Sequence, residues 1–187
     1  MAVTLKEIEG TPAAWPDMTR YPRAAMWEDD MPDAHDPVVA PAVVWRMIER
    51  WITTRWRSRS VVYTVEGPGQ WEARLSPFTV TATDRWTGAG WEGTTLPPSP
   101  LDGFELDDGT YRITGTAGDT SDVPDDVQEA WRRLHSFLLG NASEHLDMLA
   151  TFKTEGDQGG ERPRAYAAQA LRLSGAGDLL RPYRRLT

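Results

Sequence analysis

Histidine is the first residue type to test for chemistry, because its imidazole ordinarily titrates near neutral pH. The chain has three histidines; His135 precedes Ser136, and His145 follows Glu144. A nucleophilic serine needs a base and an orienting acid brought together in space, and often a Gly-x-Ser-x-Gly turn to expose it. Each of these pairs falls within one predicted helix and the turn is missing, so the residues give no support to acyl-transfer catalysis. Asp29, Asp30, Asp33, His35 and Asp36 gather oxygen ligands suited to a hard cation. Pro32 breaks the run, Pro37 follows it and the spacing of a calcium loop is absent, so a solvated acidic loop is the simpler reading. The glycine-rich stretch Gly115-Thr116-Ala117-Gly118-Asp119 lacks the Lys-Ser/Thr of a phosphate-binding loop and reads as a turn. No cysteine is present, which removes disulfides, thiol catalysis and thiolate metal sites. No catalytic residue, cofactor or metal is expected.

Nine tryptophans stand out instead. By helical or strand phase, Trp51, Trp71 and Trp131 belong to the core. Trp15, Trp27, Trp86 and Trp91 lie in irregular segments, where tryptophan commonly anchors a protein interface. Stacking on a sugar or a base is the rival use, and Arg55-Trp56-Arg57 has the look of a nucleic-acid contact.

These residues need elements to position them. Residues 1–37 contain five prolines and clustered acids without clean periodicity, and read as an extended arm. Pro41 suits the first turn of a helix whose stripe is Val44, Met47, Ile48, Trp51 and Ile52, with Arg46, Glu49, Arg50 and Thr53 opposite, ending near 53–57. The period then falls to two. Val61, Tyr63 and Val65 lead through Gly67-Pro68-Gly69 into Trp71, Ala73 and Leu75, which predicts a hairpin. Phe78, Val80 and Ala82 give a third strand, residues 84–100 a long loop or loose hairpin, and Asp107-Asp108-Gly109 a second hairpin from Phe104 and Leu106 into Tyr111 and Ile113. From Pro124 the helical period returns in Val127, Ala130, Trp131, Leu134 and Leu138. A helix capped by Ser143, a linker at 156–160, a helix from Pro163 and an amphipathic tail complete the chain.

The 187 residues suffice for one ordinary core. The longest apolar run is far too short to span a bilayer and no secretory signal is visible, so a soluble cytoplasmic protein without membrane contact is expected. The net charge of −8 is unevenly spread: residues 101–130 hold nine acids and one arginine, whereas 161–187 hold six bases and two acids. An acidic middle disfavours wrapping by nucleic acid, and a basic end suits docking.

Two stretches carry a family resemblance. GTYRITGTAG (109–118) followed by VPDDVQEAWRRL (123–134) resembles the strand-to-helix passage of the head–tail connector, or adaptor, proteins of tailed double-stranded DNA bacteriophages and related gene transfer agents. ALRLSGAGDLLRPYRRL (170–186) resembles that family's last helix and basic tail. The likeness covers roughly residues 40–187; residues 1–37 and loop 84–100 have no counterpart in it.

The resemblance implies a structural protein of the virion, assembled in the host cytoplasm. Such proteins form a homo-oligomeric ring, typically of twelve copies, between the portal protein and a tail-side head-completion or tail terminator protein. Duplex DNA passes through the ring without sequence-specific binding. By position, Leu179, Leu180, Arg181, Pro182, Tyr183, Arg184 and Arg185 would dock on the portal. Trp15, Trp27, Trp86 and Trp91 are the candidates for ring contacts. Asp107, Asp108, Asp119 and Asp122 are the candidates for a channel lining that avoids holding phosphates. The expected fold is α+β: helices around a small antiparallel β unit, with the N-terminal arm (1–37), a core (38–155) and a linker, C-terminal helix and docking tail (156–187). The alternative is a Trp-rich β module that binds carbohydrate or cell-wall polymer.

Overall fold

The computed structural model describes residues 2–18, 39–118, 121–140 and 162–184. These fall into two compact units. The first takes residues 2–14 and 53–118 with 121–122, and the second takes 15–18, 39–52, 123–140 and 162–184. The fold is α+β, as expected, but the division is not the sequential one of arm, core and tail, because the helix before the β unit and those after it share the second unit.

The first unit is all β. Its five-stranded antiparallel sheet runs β1 (Val3–Glu9), β2 (Arg59–Glu66), β7 (Thr110–Ala117), β4 (Phe78–Trp86) and β5 (Trp91–Gly93). A two-stranded sheet of β3 (Gly69–Trp71) and β6 (Phe104–Leu106) packs its side chains into the same core. Alternation explains the sidedness: Val61, Tyr63, Val65, Tyr111, Ile113 and Ala117 point inward and are buried, with Val62, Thr64, Arg112, Thr114 and Thr116 on the other face. Tyr63 meets the Trp71 and Phe78 rings edge to face at 5.2 and 5.3 Å, and Trp71 stacks on Phe104 at 6.4 Å.

Three strand expectations are corrected. Residues 3–9 of the expected arm are an edge strand paired with β2. A bulge between Thr4 and Lys6 spoils the two-residue alternation, which hid this strand from the pattern. The predicted hairpin of β2 with residues 71–75 does not form, because β1 and β7 occupy both edges of β2 and leave β3 to pair with β6. The predicted hairpin across 107–109 fails likewise, since β7 sits between β2 and β4. Gly115 lies inside β7 rather than in a turn; a side chain there would collide with the Thr79 carbonyl and the Phe78 ring. Residues 84–93 form the loose hairpin, with Trp86 opposite Trp91.

The second unit is helical: α1 (Pro41–Trp51), α2 (Asp125–Gly140), α3 (Arg162–Leu173), a short α4 (Ala176–Leu179) and a 3-10 turn at Arg181–Tyr183. Pro41 starts α1, and the chain turns extended at Ile52, slightly before the predicted end. Its inner stripe includes Trp45, fully buried, whose Nε1 donates to the Pro16 carbonyl at 3.2 Å. Glu49, predicted on the polar face, is also buried. In α2, Asp125 and Asp126 occupy the first turn, where they favour the helix dipole, and Val127, Ala130, Leu134 and Leu138 are buried. Gly175 has φ +72, a left-handed conformation that ends α3 and redirects the chain into α4. The helix predicted from Ser143 and the linker at 156–160 lie outside the described residues. No described helix is long and apolar enough to cross a membrane.

Candidate functional site

The tail is built by a folded turn. Within it Leu180 is wholly buried and Leu179 half-buried, while Arg181 and Pro182 are exposed. The Tyr183 hydroxyl donates to the Asp126 carboxylate of α2, with oxygen separations of 2.8 and 3.0 Å. Burial, and then the negative charge of that partner, push the Tyr183 phenol up to about 12. Asp126 Oδ1 also accepts the Val127 backbone N–H at 2.9 Å, so one carboxylate caps the start of α2 and holds the tail. Arg184 places its guanidinium 4.3 Å from the centre of the Trp51 ring, a cation–π contact. The Arg181 side chain is 80% exposed, and its ion pair with Asp178 at 3.5 Å is one step along the surface. The seven predicted docking residues therefore separate: Leu180 is core, Tyr183 and Arg184 latch the tail to its own unit, and Arg181 and Pro182 face outward. Arg185 lies outside the described residues.

The aromatic candidates separate as well. Trp86 and Trp91 face each other across the β4–β5 hairpin at 5.3 Å, edge to face, and Trp86 is 43% exposed. Arg112 on β7 lies 4.8 Å from the centre of the Trp91 ring and binds Asp84 at 2.8 Å. The cluster thus shows an indole beside a paired arginine and aspartate, on a sheet face otherwise rich in threonine. Trp15 is half-buried in the helical unit. Trp27 lies outside the described residues. Trp71 is buried as predicted, whereas Trp51 and Trp131 are half-buried with indole nitrogens that have no acceptor among the described residues. Trp131 stacks on His135 at 4.7 Å.

The acidic candidates Asp107, Asp108 and Asp122 are all exposed, and Asp119 lies outside the described residues. Asp107 and Asp108 sit in the connection between β6 and β7, where Arg85 donates to the Asp108 backbone carbonyl at 2.7 Å. Among the described residues, no group of three or more histidines and acids is placed to hold a metal. The acidic run at 29–36 lies outside them.

One cluster escaped the sequence reading. Arg55 and Arg59, each almost fully buried, both bind Glu9 of β1, at 2.6 and 3.0 Å. Burial pushes the Glu9 carboxyl up, but the bonds and charges of Arg55 and Arg59 outweigh it and hold the group below its usual range. Trp56 beside them is buried too. Arg55 and Trp56 of the Arg55-Trp56-Arg57 motif are therefore buried and Arg57 half-buried, so the motif is not an exposed nucleic-acid contact. The sequence carried no clear signal for this cluster, because Arg55 and Arg59 flank only Trp56-Arg57-Ser58 and their partner lay in a segment without readable periodicity.

Compared with family models, curated proteins and solved structures, the chain matches none.

Proposed function

We propose that the protein is a structural head–tail connector of a tailed phage or phage-like particle, without catalysis. What supports this reading most is the resemblance of 109–134 and 170–186. GTYRITGTAG supplies a sheet strand flanked on both sides, VPDDVQEAWRRL opens α2, and the arginine-rich tail is anchored to α2. A tail latched by Tyr183 and Arg184 holds Arg181 and Pro182 outward in a fixed geometry, which lowers the ordering cost of docking. In this reading the tail docks on the portal, copies form a ring of about a dozen, and a tail-side completion protein takes the other face. Exposed Asp107, Asp108 and Asp122 keep passing DNA from adhering, since like charges repel its phosphates.

The test is co-sedimentation of the full chain with assembled portal rings. Arg181→Glu, on an exposed side chain, is expected to lose portal binding while its melting temperature stays unchanged. Undiminished binding by that variant would remove the docking assignment.

One observation favours the second reading, a carbohydrate-binding module. Trp86 exposes its indole beside Asp84 and Arg112, the combination of stacking face and polar groups that sugars use. Titration with cell-wall polysaccharides, followed by tryptophan fluorescence in the native chain and in Trp86→Ala, separates the two.

A further inference from the structure

The five-stranded sheet has two edges of different character. At one end β1 presents seven residues, and Val3, Leu5 and Ile8 are 56%, 57% and 51% exposed. An open row of amides and carbonyls invites another strand, and although β1 carries Lys6, Glu7 and Glu9, its three apolar side chains stay exposed beside them. At the other end, β5 pairs only with residues 84–86 of β4, so residues 78–82 form the remaining edge. That stretch, Phe-Thr-Val-Thr-Ala, carries no charge, and Thr79, Thr81 and Ala82 are exposed.

We infer that the occupant of each edge is a second copy of this chain, with β1 of one copy added to residues 78–82 of β4 in the next. The inference rests on the ring reading above and names its interface. Direction is the first argument. β1, β2, β7 and β4 alternate strictly, each pair antiparallel, so a copy related by rotation brings its β1 to β4 antiparallel. Such a heterologous contact, repeated with a fixed rotation, closes a ring.

Charge is the second argument, because it disfavours the simpler symmetric dimer. Cross-strand partners share a face, and like charges placed opposite each other are destabilising. A two-fold β1–β1 pairing centred on Lys6 sets that ammonium against its own copy; centred on Glu7 or Ile8, it crowds Glu7 against its own copy or against Glu9, although Glu7 is paired with Arg74 and Glu9 with Arg55 and Arg59. Centred on Leu5, it falls on the bulge between Thr4 and Lys6. Pairing with the uncharged β4 edge meets none of these conflicts. The bulge between Val80 and Ala82 keeps the new ladder short, which suits a contact that is weak alone and stable once a ring closes.

Two substitutions on exposed positions test this in the full chain, with unchanged melting temperatures confirming that both variants fold. Ile8→Lys spoils only the β1 side and Ala82→Lys only the β4 side. Each variant alone is expected to lose rings in native mass spectrometry, with self-association weakened about tenfold or more. Mixed, they are expected to give one-to-one heterodimers and nothing larger, since one intact pair of edges remains. Rings surviving either substitution would overturn the proposal, as would a native chain that never self-associates. Loss of assembly in Ile8→Lys alone would also overturn it, in favour of a symmetric dimer. Portal co-sedimentation run on the same samples reads the connector assignment separately: bound portal with unaffected rings would sink the edge pairing and leave that assignment standing.

Discussion

In the β unit the largest side chains are aromatic and meet edge to face around Tyr63, and the half-buried Glu9 carboxylate ties β1 to the buried Arg55 and Arg59. In the helical unit the buried residues are mostly aliphatic, and the tail is held by Tyr183 on Asp126 and Arg184 over Trp51. The first unit is pinned internally and left open at its sheet edges. The second closes its own last turn onto itself and leaves two residues of that turn outward. The proposed surfaces for strand addition and for tail docking thus come from opposite choices about which backbone and side chains are satisfied within the chain.

The largest effect expected is from Tyr63→Ala. It removes a fully buried ring that contacts Trp71 and Phe78 and accepts the Leu75 N–H, and should destabilise by about 3–5 kcal/mol in denaturant unfolding. Leu180→Ala should cost about 2–5 kcal/mol, with lost amide protection centred in the helical unit. For the same reason deletion of 176–187 should damage that unit rather than merely free a tail, because it removes Ala176 and Leu180 from the core. Protection unchanged by Leu180→Ala would show that the tail is an appendage.

Glu9→Gln leaves two buried guanidiniums without their carboxylate and should cost about 1–3 kcal/mol. Its pH dependence has a definite sign. The folded carboxyl titrates below its ordinary value of 4.5, so the stabilisation is complete above that pH and is lost as pH falls through the lower folded value. The native chain should therefore lose more stability on acidification than Glu9→Gln does. Tyr183→Phe should cost about 1 kcal/mol. The phenol is raised from 10.0 to about 12, so this contribution is present below pH 10 and disappears as pH rises through about 12. Glu129, lowered to about 2 by its bonds to Arg132 and Arg133, is a surface pair of α2, and Glu129→Gln should cost about 0.5 kcal/mol. Thermal melts across pH order all three.

What the sequence made legible follows from period. α1, α2 and the sheet strands β2 and β7 were readable because their inward residues recur at 3.6 or 2 without interruption, and β4 because Phe78 and Val80 set the phase before its bulge. β1 was not, since its bulge shifts the phase, and the pairing of β3 depended on β2 being occupied by strands remote in sequence. Trp45 was missed because its indole is satisfied by Pro16, twenty-nine residues away and in no regular element. At the candidate sites, the exposure of Arg181 matched its terminal setting, whereas Trp86, expected in an irregular segment, is exposed from the end of β4. Tyr183 and Arg184 looked like docking residues, since a basic amphipathic tail reads the same whether its partner is another protein or the first turn of α2.

The most direct test of the connector assignment is negative-stain imaging of the native chain over a concentration series, alone and with portal rings. The account predicts rings with a central hole wide enough for duplex DNA, seated on the portal. A chain that stays monomeric at every concentration and leaves the portal bare would contradict it.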